Sequence, residues 1–356
     1  MATSNNRLEQ PSFPTSRIPV DAGQLGDAVD AWIGAKDVPP LFIEAKADAF
    51  PDVPSAIEWV GAHREALDAL ILEHGGIVLR GLPIESAADF NALVHNFPLY
   101  KPGYVAGMSP RKKVKEDVLE STRLDKNFKI QLHSEMAYMK QYPPRIAFFC
   151  RTAAPIGGET IIGKMSEFMK RLPADLAAKL DSHDYHVVRN YAPAGNTRDA
   201  AEVSHGDQVG WDEAFFADSR EEVEERCREL GMEPSWNDDG SLTLVEISKP
   251  FTVHPKTGER FYRANLHVNN AYEDGGLAEI QAKVRASQKR PTGHYLGNGE
   301  MLSRDESNRI TSIFQEIELA WPWQDGDVMI LDNLQVVHGR NPFDGPREVM
   351  VALLDH

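Results

Sequence analysis

The strongest constraint on the fold is a set of short extended segments. The last two, DVMILDN and REVMVALL, lie between residues 325 and 354 and are joined by a turn rich in Gly and Pro. Upstream, FKIQLHSEMAY alternates in polarity and IAFFCRTAA reads as a buried strand, so residues 128–163 read as extended. Ile156-Gly157-Gly158-Glu159-Thr160 is turn chemistry leading into another short strand, and Asn237-Asp238-Asp239-Gly240 predicts a hairpin turn into SLTLVEIS. Many short strands with helices at the start and in the middle predict a mainly β chain with helical insertions, a double-sheet jelly roll.

Helical periodicity is confined to a few places. Ile57, Val60, Leu67, Leu70 and Ile71 predict a helix over 55–74 that stops at Gly75-Gly76, followed by a strand at Ile77–Leu79. Ser86 and Asp89 open a helix at 87–96, residues 165–180 read as helical, and Ser219 with Glu222 caps EEVEERCREL, which Gly231 ends. Residues 192–212 are polar and Gly-rich, longer than an ordinary connection, and are expected to form a lid. With 356 residues and 42% hydrophobic content, one elaborated domain over 18–356 is expected, after a disordered or extended terminus at 1–17.

Composition narrows the partners. A net charge of −16 disfavours nucleic acid and anionic membrane surfaces. No apolar run reaches the ~18 residues of a membrane span, and the first residues lack a secretory h-region. Cys150 and Cys227 are too few for a disulfide framework or a thiolate metal site, so a cytoplasmic location is expected.

The histidines carry the chemistry. With 12 His and 54 acidic residues, His-x-Asp/Glu recurs by chance, and His63/Glu65, His133/Glu135 and His205/Asp207 all match. On a helix, two residues are about 200° apart, so His63 and Glu65 diverge. His205/Asp207 sits in the polar loop. Only His133/Glu135 lies in an alternating segment, where positions i and i+2 face one side. A distant third ligand must come from His254, His267, His294 or His338, the last in QVVHGR beyond the strand VMILDN. Two His and one carboxylate leave positions open on a metal, as non-haem iron oxygenases require. Arg347 opens the final strand on the face of Val349, Val351 and Leu353, where a lone guanidinium calls for an anion such as a carboxylate; the Thr160 hydroxyl is a weaker donor to the same group.

LHSEMAY, FFCRTAAPIGGET and DGDVMILDNLQVVHGRNPFDGPRE together resemble the TauD/TfdA family of Fe(II)/2-oxoglutarate dioxygenases, closest to its SyrP-like branch. YVAGMSPRKKV, HVVRNY and VHPKTGE extend the resemblance over residues 74–354. It implies a double-stranded β-helix, the cupin-like form of the jelly roll. It places iron on His133, Glu135 and His338, and 2-oxoglutarate on Arg347 and Thr160. A Glu ligand argues against a halogenase. Departures are Ser134, where the branch often has Asn, FYRANLH at 261–267, and the long loop at 192–212. Ser134 and Arg263 are therefore candidate substrate contacts.

The implied reaction couples oxidative decarboxylation of 2-oxoglutarate by O2 to oxidation of an unactivated C–H, with hydroxylation as the default outcome. The substrate would be an amino acid or amino-acid-derived small molecule, free or presented by a carrier protein. Desaturation or cyclisation is the alternative outcome. The rival readings are a metal-dependent cupin-like non-redox enzyme and a jelly-roll binding protein with a structural metal.

Overall fold

A computed structural model describes residues 16–107, 111–122, 124–196, 208–269 and 290–356. Residues 1–15 of the predicted terminus at 1–17, and the centre of the predicted lid, 197–207 with His205 and Asp207, lie outside the described residues. The ends of that loop meet: Ala192 bridges Gly210, and the Gly195 N–H donates to Asp212 Oδ2 at 2.8 Å.

The strands form the jelly roll that their number and brevity predict. The larger sheet has nine strands, and its centre runs Leu41–Ala45, Gly76–Arg80, Val328–Asp332, Arg145–Thr152 and Glu348–Leu354. A four-stranded sheet, ordered Leu319–Trp321, Thr160–Lys164, Val336–Arg340 and Ile130–His133, carries the chemistry.

The period-2 pattern explains how the large sheet is covered. Val349, Val351 and Leu353 of the last strand join one buried cluster, with Ile146, Phe148, Cys150, Met329 and Leu331 from neighbouring strands. The alternate residues Met350, Ala352 and Leu354 join another, beneath the helices near the N-terminus. These strands are apolar on both faces because both faces are covered, and burial at ~25 cal/mol per Å² makes this double layer the main stabiliser.

Several expected elements divide. The helix over 55–74 is two, Val53–Ala62 and Arg64–His74, because His63 leaves helical geometry (φ −106°, ψ 14°) and its Nδ1 meets the Trp59 carbonyl at 2.8 Å. Residues 165–180 also split, into Met165–Arg171 and Ala174–Asp181, since Pro173 cannot sit inside a helix. Ser86 caps Ala87–Val94 reciprocally with Asp89, as expected. QVVHGR is a strand in its own right, Val336–Arg340, in the smaller sheet rather than a tail of VMILDN in the larger one.

Candidate metal and cosubstrate site

His133 ends its strand and is paired with His338 on the next one, so the two Cα atoms face each other across the ladder. Their rings stand 4.6 Å apart. Glu135 does not reach them by strand alternation. The strand Ile130–His133 has already ended, and Met136 adopts φ 53° in the turn that follows. What fixes Glu135 is Asn333, which is fully buried. Its Oδ1 accepts from the Glu135 N–H at 2.7 Å, and its Nδ2 donates to the carbonyls of Glu135 (3.0 Å) and Pro143 (2.8 Å).

Asn333 is itself held by a turn. Asp332 accepts from the N–H groups of Leu334 and Gln335 and from His254 Nε2 at 2.8 Å. His254 Nδ1 accepts from Lys256 and Thr257, so the motif VHPKTGE anchors the turn that anchors the carboxylate. The sequence singles out that motif but not its task, because a side-chain clamp on a distant backbone leaves no periodic signal.

One ligand atom from each of His133, Glu135 and His338 lies within 4.8 Å of the others. His133 Nδ1 lies 2.8 Å from the Gln131 carbonyl, which can only accept, so Nδ1 carries the proton and Nε2 offers its lone pair. Burial pushes the His133 pKa down to about 4, helped by His338, so the ring is neutral at physiological pH. Burial opposes the charge on Glu135, but Arg111 and the two histidines overcome it and hold the carboxyl well below the usual range. A neutral His133, an ionised Glu135 and the His338 ring beside them fit a divalent cation, and three donors leave room for other ligands. Among the described residues, the other cluster of this kind is His95, Glu116 and Asp117, all exposed.

Thr160 and Arg347 lie on the same inner side. Thr160 pairs with Arg340 and Ile162 with His338, so Thr160 shares the face of His338. Its Oγ1 accepts from Trp323 Nε1 at 2.8 Å, which leaves the hydroxyl hydrogen free to donate. Arg347 stands one residue before the strand Glu348–Leu354. Its Nε donates to the Gly158 carbonyl at 2.9 Å, and its terminal nitrogens have no hydrogen-bond partner among the described residues. Burial, with Arg340 nearby, lowers its pKa to about 10, so it remains charged. A cavity of about 650 Å³ opens here, lined by Arg340, Arg347, Ser121, Thr122 and Phe343 among others.

Ser134 and Arg263, the two candidate substrate contacts, are both buried. Ser134 is buried between the metal candidates, and its carbonyl accepts from the Ala137 N–H. Arg263 is 6% exposed and donates to the carbonyls of Met139 (2.9 Å) and Met136 (3.4 Å), so its terminal nitrogens brace the turn that carries Glu135.

The profile of the taurine catabolism dioxygenase TauD, TfdA family matches residues 43–353. The chain belongs to the TauD/TfdA family. It is an Fe(II)/2-oxoglutarate-dependent dioxygenase, which sets aside both the non-redox cupin-like reading and the binding-protein reading. Curated relatives include the clavaminate synthase-like protein At3g21360 of Arabidopsis thaliana, 29% identical over 85% of this chain and 88% of its own length. Another is the dapdiamide synthesis protein DdaC of Enterobacter agglomerans, 28% identical over 81% of this chain and 84% of its own length. Among solved structures, a taurine dioxygenase from Burkholderia xenovorans superposes with a TM-score of 0.48 and 14% identity, covering 93% of this chain and 90% of that one. No helix among the described residues is long and apolar enough to cross a membrane.

Proposed function

We propose that His133, Glu135 and His338 hold the iron, that Arg347 and Thr160 hold the far carboxylate of 2-oxoglutarate, and that the reaction is hydroxylation of an amino acid or amino-acid-derived small molecule, free or carrier-bound. The observation that carries this is the convergence of three donor atoms within 4.8 Å, with His133 neutral and Glu135 ionised.

Bound there, iron with 2-oxoglutarate and O2 supplies the C–H oxidation. The chain supplies placement. His133 keeps its Nδ1 proton on the Gln131 carbonyl, so Nε2 stays available. Glu135 stays in place through Asn333. Arg347 offers a charged fork to a carboxylate, and Thr160 a hydroxyl hydrogen. Phe148, with its ring 5.1 Å from that of His338, and the neighbouring Ile146, Val349 and Val351 keep water from the inner face. A small-molecule substrate agrees with the relative named for dapdiamide synthesis.

Anaerobic titration of Fe(II) and 2-oxoglutarate, followed by the metal-to-ligand charge-transfer band, tests the assignments. His133→Ala and His338→Ala should abolish iron binding, whereas His63→Ala should not. Arg347→Gln should spare iron and weaken 2-oxoglutarate binding about ten- to a hundredfold, the loss expected for one charge-assisted contact. Unchanged 2-oxoglutarate affinity would remove Arg347 from the site. A mass-spectrometric screen of free and carrier-bound amino acids for an O2-dependent gain of one oxygen tests the substrate class; loss of two hydrogens instead would indicate desaturation or cyclisation.

A further inference from the structure

Arg111 places a guanidinium against the proposed iron ligand. Its Nη2 donates to Glu135 Oε2 at 2.8 Å, the same oxygen that lies 3.8 Å from His338 Nε2. Its side chain is only 8% exposed, and its plane lies over the Tyr104 ring, 4.3 Å from the centroid. Nε and Nη1 are buried and have no hydrogen-bond partner among the described residues. A guanidinium cannot relieve this by losing its proton. It therefore needs anionic charge nearby, and among the described residues Glu135 is the carboxylate it pairs with.

Glu135 carries one negative charge, and on the reading proposed above that charge is also engaged by a divalent cation. One carboxylate does not neutralise a dication and a buried guanidinium together. Among the described residues, the neighbouring side chains supply no surplus negative charge. Arg189 is fully buried, with its Nη2 3.8 Å from Glu246, and Arg263 donates to backbone carbonyls. The Tyr138 hydroxyl is also buried and, among the described residues, without a partner.

We infer that Arg111 is a substrate-binding residue: its N–H groups not used by Glu135 take a carboxylate of the substrate beside the metal. The inference rests on the metal assignment. It makes the substrate an acid, and it couples the two sites, because an anion on Arg111 releases Glu135 to the metal while the metal leaves Arg111 in need of an anion.

The coupling can be read without knowing the substrate. Co(II) is titrated into the full chain at saturating 2-oxoglutarate and followed by its visible bands, with acetate or neutral acetamide as the probe. In the wild type, acetate at ten times its dissociation constant should tighten Co(II) binding on the order of tenfold, and acetamide should not. In Arg111→Gln the acetate effect should vanish, and Arg111→Lys, which keeps the charge, should retain part of it. No acetate effect in the wild type, or an equal effect in Arg111→Gln, overturns the proposal. Loss of Co(II) binding in both variants makes Arg111 a positioning residue for Glu135 and overturns it as well. The His338→Ala variant keeps the two readings apart: if it binds Co(II) normally, the metal assignment fails, whatever acetate does.

Discussion

The Asn333 side chain makes hydrogen bonds to the backbone of Glu135 and Pro143, and every one of them is buried. Its replacement by Ala would leave the Glu135 N–H and two carbonyls unpaired away from water, at a cost of at least about 2 kcal/mol. It would also free the turn that presents the carboxylate. Asn333→Ala should therefore lower the urea midpoint and weaken divalent-metal binding together, whereas His338→Ala should affect the metal alone. A variant that loses stability but binds metal normally would show that Glu135 is held by other contacts. At this scale the resemblance supplied His133, Glu135 and His338. Reading the residues alone brought His133 and Glu135 together for the wrong reason, since the alternation it used stops at His133. Arg111 lay inside a stretch already noticed, YVAGMSPRKKV, yet its approach to Glu135 depends on a fold that brings residues 24 apart into contact through no periodic pattern.

At the scale of elements, the strand Val336–Arg340 sits between Thr160–Lys164 and Ile130–His133, and Gly339 is what lets the last of these approach. A Cβ on Gly339 would stand 2.3 Å from the Ile130 carbonyl oxygen and 3.0 Å from that of Gln131. Backbone cannot yield as a side-chain tip can, so Gly339→Ala must push the His133 strand outward. The overpacking should cost about 1–3 kcal/mol. Because His338 is the preceding residue and pairs with His133, the same shift separates the two imidazoles. Weaker metal binding with little change in 2-oxoglutarate binding to the metal-loaded enzyme is the expected signature, measured by the same anaerobic titration. Equal loss of both would place the disturbance at Thr160 and Arg340 instead. The sequence shows two β-branched valines in QVVHGR, but a five-residue strand does not reveal which sheet it joins; that is decided by pairing with segments more than 170 residues away.

For the molecule as a whole, the jelly roll was legible because strand alternation and turn residues are local signals, repeated along most of the chain. The interior charge states were not, since they depend on what surrounds each histidine. Burial pushes the pKa values of His267 and His294 down to about 3, and those of His74 and His356 move the same way. His267 packs against Phe314, its Nδ1 buried without a partner among the described residues, and His294 meets the Tyr185 hydroxyl at 2.6 Å. The unfolded chain takes up protons on these rings near pH 6.5, and the folded chain does not until about pH 3. Their contribution to stability is thus complete above pH 6.5 and is lost as pH falls through the interval below it. Each of the two should cost roughly 2 kcal/mol between pH 7 and pH 5. Carboxylates titrate mostly below this interval, so urea unfolding at the two pH values isolates the histidines. His267→Phe keeps a ring against Phe314 and removes one titrating group, so its loss of stability from pH 7 to pH 5 should be smaller than that of the wild type by roughly 2 kcal/mol. An undiminished loss would mean that His267 does not stay neutral in the folded protein.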